Sequence, residues 1–182
     1  MSVVWLHGPL GAGKTTLAHA LRALVHPVAA VALLDEDDVR EAVADATMSW
    51  TVESAMPLAQ LGGMARVLAQ QGLVVVVAAS DVDASLLAWN REHLPGYREI
   101  YLKASPETIK HHARRHKLGE GVPAPPGPAD SRPVGAPSRS PDMTLDMDNP
   151  EPPELLAFRV AVLIPEFVVA AAAAAGAQRF RR

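Results

Sequence analysis

The chain has 182 residues, 49% of them hydrophobic, enough for one substantial core, so a single domain over residues 1–182 is expected. Its 17 Lys and Arg against 20 Asp and Glu leave a formal net charge of -3, which argues against the broad basic field of a protein that binds polymeric nucleic acid. Cysteine is absent, which excludes disulfides, thiolate metal ligands and a cysteine nucleophile, and agrees with a reducing compartment.

Residues 2–7 read as a first strand that runs straight into glycines, without the basic flank and small-residue cleavage pattern of a signal peptide; a cytoplasmic location is expected. A helix follows over 14–25, where Leu17, Ala20, Leu21 and Leu24 recur at helical spacing. Residues 28–34 form a second apolar strand ending in Asp35, Glu36, Asp37 and Asp38, and a helix is predicted from about 38 to 46. A longer helical segment ends near Gln71, with Pro57 in its first turn or breaking it. The run 73–79 is the strongest core strand and suits a parallel sheet covered on both faces. Helix is then expected over 81–93, strand over 99–102, and helix from Pro106 to about Lys117, capped by Ser105.

Between Gly119 and Pro141, seven prolines and four glycines break any regular element, so about 118–141 reads as a long loop or lid carrying Arg132 and Arg139. A last strand over 143–147 and a closing helix over 152–177 complete the order. Pro165 and Glu166 interrupt that apolar final stretch, which favours a buried or half-buried bent helix over a membrane span. The alternation of strands and helices predicts a three-layer α/β fold with a mostly parallel central sheet and helices on both faces. Its crevice should lie beyond the carboxyl ends of the strands.

Gly8-Pro9-Leu10-Gly11-Ala12-Gly13-Lys14-Thr15 matches the phosphate-binding pattern G-x-x-x-x-G-K-T, with an apolar strand before it and an amphipathic helix behind it. Glycines at 8, 11 and 13 allow the tight turn and the close approach of backbone amides, Ala12 included, and the helix N-terminus favours an anion. ATP and Mg²⁺ are the expected ligands: Lys14 would reach the β- and γ-phosphates, Thr15 the metal, and Thr16 an adjacent phosphate. Asp35 and Asp37, at a strand end, are candidates to orient a substrate hydroxyl and to hold metal-bound water, with Arg40 one turn on for an anionic substrate group. Asp38 is explained by helix capping. Ser80 is a candidate for substrate or metal-bound water and equally for capping, with Asp81 in reserve.

Lys110, His111, His112, Arg114, Arg115, His116 and Lys117 make one conspicuously basic helix. Arg114, Arg115 or Lys117 could cover the nucleotide or stabilise a transferring phosphoryl group, although a solvated face must account for several of them. The histidines lack an acidic or cysteine partner for a metal site. Trp50, Trp89, Tyr97 and Phe158 read as core or cleft wall. There is no D-x-x-G or N-K-x-D motif of a GTPase.

The arrangement resembles the adenylylsulfate kinases, small P-loop kinases that phosphorylate the ribose 3'-hydroxyl of adenosine 5'-phosphosulfate. Residues 8–16 resemble the phosphate loop of that family, Leu34-Asp35-Glu36-Asp37-Asp38-Val39-Arg40 its L-D-G-D-N-V-R segment, and 141–147 its late P-E-I-x-L-D-T segment. The resemblance implies a P-loop NTPase fold, Asp37 as the hydroxyl-orienting acid or base, Asp35 in the metal and phosphate network, Arg40 toward the acceptor, and Arg114 on the nucleotide side. It also implies that the loop around 145–150 encloses the donor adenine, and a homodimer; no membrane partner is expected from the interrupted final stretch. The departures fall on the acceptor side: Glu36 stands in place of a glycine, and no arginine pair follows in 48–54. The expected activity is therefore ATP-dependent phosphoryl transfer to a hydroxyl of a nucleotide or small polar metabolite. Adenylylsulfate kinase proper and a non-catalytic nucleotide-binding regulatory module are the alternatives.

Overall fold

A computed structural model describes residues 1–46, 58–80, 82–115 and 140–179, the last few of several helices (44–46, 113–115 and 174–179) by backbone alone. The expected lid at 118–141 and its Arg132 and Arg139, together with Trp50, Pro57, Asp81, His116 and Lys117, fall almost wholly outside the described residues.

Among the described residues, five strands form one parallel sheet: β1 (Val3–Gly8), β2 (Val31–Asp35), β3 (Val74–Ser80), β4 (Arg98–Lys103) and β5 (Met143–Asp146), in the spatial order β2-β3-β1-β4-β5. The central β1 and β3 are buried along nearly their whole length, which is why their sequences are continuous apolar runs rather than alternating ones. Alternate residues serve opposite layers. Val4, Leu6, Val76 and Ala78 pack with Leu17, Ala18 and Leu21 of α1 (Lys14–Val25) and with Leu156, Ala157 and Val160 of α6 (Pro153–Ala161). On the other face, Val3, Trp5, Val75 and Val77 pack with Leu61 and Ala65 of α3 (Leu58–Gln70) and Leu86 and Leu87 of α4 (Ala84–His93). The remaining helices are α2 (Glu36–Ala46), α5 (Pro106–Arg115) and α7 (Pro165–Arg179).

Several boundaries differ from the sequence expectation, each for a local reason. The second strand begins at Val31, because Val28 N–H is taken by the Val25 carbonyl in the turn that ends α1. Ser80 is the last residue of β3 and caps no helix; α4 starts later, at Ala84, where the Asp83 carboxylate accepts the N–H groups of Ser85 and Leu86, each at 2.8 Å. These bonds lower the Asp83 pKa, the Ser85 hydroxyl contributing most. Asp83→Ala is expected to cost about 1 kcal/mol in a urea melt. The cap contributes fully above the unfolded pKa of about 3.9 and is lost as pH falls through the lower folded value.

The closing helix is two helices, since Pro165 cannot continue the ladder of α6, and the pair turns by 95°. Among the described residues no single helix is long and apolar enough to cross a membrane, although this bent pair has the length and composition. Phe158, expected in the core or a cleft wall, is 53% exposed and meets Phe167 edge-on at 6.3 Å, because α6 turns its Leu156 and Val160 stripe inward instead. Tyr97 is buried as expected, and Trp89 is half-buried, stacked on His93.

A polar chain, fully buried at His7 and Glu99, lies beneath the first glycine turn. His7 Nε2 and Glu99 Oε1 are 3.2 Å apart and both side chains are inaccessible; Arg91 donates to Glu99 Oε2 at 2.9 Å. Asp142 accepts the Glu99 N–H at 2.8 Å, and Arg91 also donates to the Ser140 carbonyl at 3.3 Å. A buried carboxylate is tolerated because cationic and hydrogen-bonding partners surround it. The chain ties β1, α4 and β4 to the residues that lead into β5.

Candidate nucleotide and acceptor site

The parallel register sets the carboxyl ends of three strands side by side: Gly8 of β1 pairs with Ser80 of β3, and Asp35 of β2 with Ala78. Everything the sequence marked for chemistry on these strands therefore emerges at one edge. The glycine-rich loop leaves β1 there and turns into α1 through Gly13, whose φ of 93° is left-handed.

Gly8 is required for a more direct reason. A Cβ at this position would sit 2.3 Å from the Leu102 carbonyl oxygen of β4, on a backbone with φ of 151°. Gly8→Ala is expected to destabilise the fold by about 2–4 kcal/mol through backbone strain and overpacking. A urea midpoint that does not move would show that β4 yields at no cost.

Lys14 is 7% exposed, and its ammonium lies over the loop it belongs to, donating to the carbonyls of Gly8 at 3.1 Å and Pro9 at 2.9 Å. Ala12 is buried; Thr15 and Thr16 are exposed. Thr15 donates its hydroxyl to Asp35 Oδ2 at 2.8 Å, and Asp35 Oδ1 accepts the Asp37 N–H at 3.0 Å. One buried carboxylate thus joins the start of α1 to the first turn of α2. Asp37 is 72% exposed and accepts from Arg40 at 2.7 Å. The guanidinium of Arg40 also pairs with Glu36, whose second oxygen accepts the Ser80 N–H at 2.7 Å. Lys14, Thr15, Asp35, Asp37, Arg40 and Ser80 are in this way brought to one edge of the sheet.

Two contributors to the site went unassigned in the sequence. Glu36 bridges β3 and α2, a contact between residues 44 apart in the chain that no local pattern reveals. His112, one of the basic-helix residues, pairs its Nδ1 with the Gly11 carbonyl at 2.9 Å and so holds α5 against the phosphate loop. Arg114 lies in the last turn of α5, where the backbone alone is described. Past β5, Met147 is buried and its Cε is 3.4 Å from where a Gly13 Cβ would stand. Asp148 anchors α5 by accepting from Ser105 N–H and the Thr108 hydroxyl, both at 2.7 Å; the Ser105 bond, followed by that from Thr108, lowers its pKa.

Among the described residues no group of three His, Asp or Glu side chains is placed to hold a metal ion by itself. The oxygen pair of Thr15 and Asp35, beside a glycine loop with positive φ at positions 8, 11 and 13, fits a hard divalent cation that brings phosphate oxygens and water as its other ligands.

A parallel sheet with helices on both faces and a glycine loop leading from β1 into α1 defines a P-loop NTPase-like α/β protein. The chain belongs to the adenylylsulphate kinase family, whose model matches residues 1–117. Over 107 residues it is 36% identical to an adenylyl-sulfate kinase of Myxococcus xanthus, covering 56% of this chain and 57% of that protein. It is also 30% identical over 102 residues to a cytidine diphosphoramidate kinase of Campylobacter jejuni, covering 56% and 59%. These matches span less than two thirds of either relative's length. The Mycobacterium tuberculosis APS kinase CysC, solved in complex with AMPPNP and APS, superposes with a TM-score of 0.67 over 90% of this chain and 96% of that one. At 20% identity it shows the same fold.

Proposed function

We propose that the protein transfers the γ-phosphoryl group of ATP to a hydroxyl of a small molecule. The observation that carries this reading is the Asp35 bridge, which joins the Thr15 hydroxyl of the phosphate loop to the Asp37 backbone of the acid-bearing helix. It ties a donor-side loop to the helix turn that carries the acceptor-side acid, and in-line transfer needs both at one site.

The donor, magnesium-bound ATP, supplies an electrophilic γ-phosphorus and a leaving ADP. The backbone amides of residues 10–15, beyond Pro9, and the N-terminus of α1 would bind its phosphates, and Thr15 and Asp35 would hold the metal, which would neutralise phosphate charge. Lys14 exchanges the Gly8 and Pro9 carbonyls for phosphate oxygens and offsets the charge that spreads over them during transfer. Asp37 orients the acceptor hydroxyl and takes its proton as the new O–P bond forms and the bond to ADP breaks. Arg40 holds Asp37 in place. The Arg114 side chain is assigned to the nucleotide side on the family resemblance alone.

The test is to incubate the whole chain with Mg-ATP and a panel of nucleosides, sugars, adenosine phosphosulfate and polar metabolites. Mass spectrometry then looks for an acceptor that gains one phosphate. Tight ATP binding without any phosphorylated product, unaffected by Asp37→Asn, would replace phosphoryl transfer by a regulatory nucleotide-binding role.

A further inference from the structure

Among the described residues, the acceptor side of the crevice has few groups able to receive an anion. Within residues 35–90, which run from the end of β2 to the last part of α4, the sequence contains two cationic side chains, Arg40 and Arg66, and no lysine or histidine. Arg66 is an exposed residue in the middle of α3. Arg40 sits at the site, where its guanidinium is paired with two carboxylates, Asp37 and Glu36. The backbone N–H at the end of β3, a natural donor to a ligand in the crevice, is that of Ser80, and Glu36 accepts it at 2.7 Å. The Glu36 side chain is only 17% exposed, so this contact lies within the crevice wall.

A carboxylate that bridges a guanidinium and a strand-end amide makes the same charge-assisted contacts that a phosphate, sulfate or carboxylate of a substrate would make. An incoming anion would have to displace it and then face its uncompensated charge beside Asp37 and Asp35. Both terms oppose binding, and the second grows as the crevice is closed to water.

We infer that Glu36 sets acceptor specificity: by occupying Arg40 and the Ser80 amide it closes the acceptor side to anionic compounds and leaves it to an uncharged hydroxyl compound such as a sugar, polyol or nucleoside. This inference rests on the phosphotransferase reading and narrows its acceptor.

The experiment separates the two. With the whole chain saturated in Mg²⁺ and AMPPNP, adenosine 5'-phosphosulfate is titrated by calorimetry into the native protein, Glu36→Gln and Glu36→Gly. Unchanged AMPPNP affinity in each variant establishes that the phosphate loop is intact. Glu36→Gln keeps the side-chain shape should the glycine disturb the first turn of α2. The anion is expected to bind both variants at least about tenfold more tightly than the native protein, the scale of one charge-assisted contact. Native affinity within twofold of both variants overturns the role of Glu36, whatever the chain catalyses.

Turnover with Mg-ATP is then compared for matched pairs, a nucleoside and its 5'-monophosphate or a sugar and its phosphate. The uncharged member is expected to gain the phosphate. Preferred phosphorylation of the anionic member by native protein also overturns the inference. If no member of any pair is phosphorylated although AMPPNP binds, the phosphotransferase reading fails, and the titration still decides whether Glu36 excludes anions.

Discussion

Lys14→Ala is expected to lower phosphoryl transfer about a thousandfold and to weaken nucleotide binding along with it. The ammonium is held over the loop by the carbonyls of Gly8 and Pro9, with 7% of the residue exposed, so it reaches phosphate oxygens by a short exchange of partners rather than by a search from solvent. Such placement costs little reorganisation at the moment of transfer, which is what gives preorganised donors effects of about 3–4 kcal/mol. Lys14→Met separates charge from packing. It fills much of the same space, so it should retain the stability of the native fold while losing nearly as much transfer as Lys14→Ala. Single-turnover rates would check this, and a loss of less than tenfold in both variants would remove Lys14 from the transfer step.

Asp37→Asn should lower kcat by about 10²- to 10³-fold, within the range for a single acid or base, while nucleotide affinity stays within about threefold. The Asp37 side chain is paired with Arg40, and 72% of it faces solvent. Asparagine preserves an acceptor oxygen for Arg40 and removes the capacity to take a proton. Parallel loss of kcat and kcat/KM would place the effect in the transition state, whereas a rise in KM alone would make Asp37 a binding group.

The phosphate loop was legible in the sequence because everything that defines it is local: glycine positions, the lysine and hydroxyl that follow, and the strand and helix on either side. The central strands were legible because burial on both faces leaves an apolar run with no alternation. Asp35 and Asp37 could be singled out, and the resemblance divided their tasks, but the bonds by which Asp35 ties the two elements together could not be read. The carboxylate of Asp35 turns back to the Asp37 N–H and forward to Thr15, so α2 begins at Glu36 rather than at the capping Asp38 that the sequence suggested. Glu36 was noted as a departure from glycine, and its role was hidden because its partner is a backbone amide on another strand. The same holds for His112, whose partner is a loop carbonyl 101 residues away. Ser80 was misread as an equal candidate for capping because serine before a helix is a common cap, whereas the strand here continues through it and Asp83 takes that task.

The double attachment of Asp35 has a thermodynamic consequence. Its two oxygens are shared between the donor loop and the acceptor helix, so a ligand that draws the Thr15 hydroxyl away alters the hold on the first turn of α2. Any coupling carried by this carboxylate is reciprocal: if bound nucleotide changes acceptor affinity by some factor, bound acceptor changes nucleotide affinity by the same factor. The order in which the two substrates bind is then a property of their concentrations as much as of the protein.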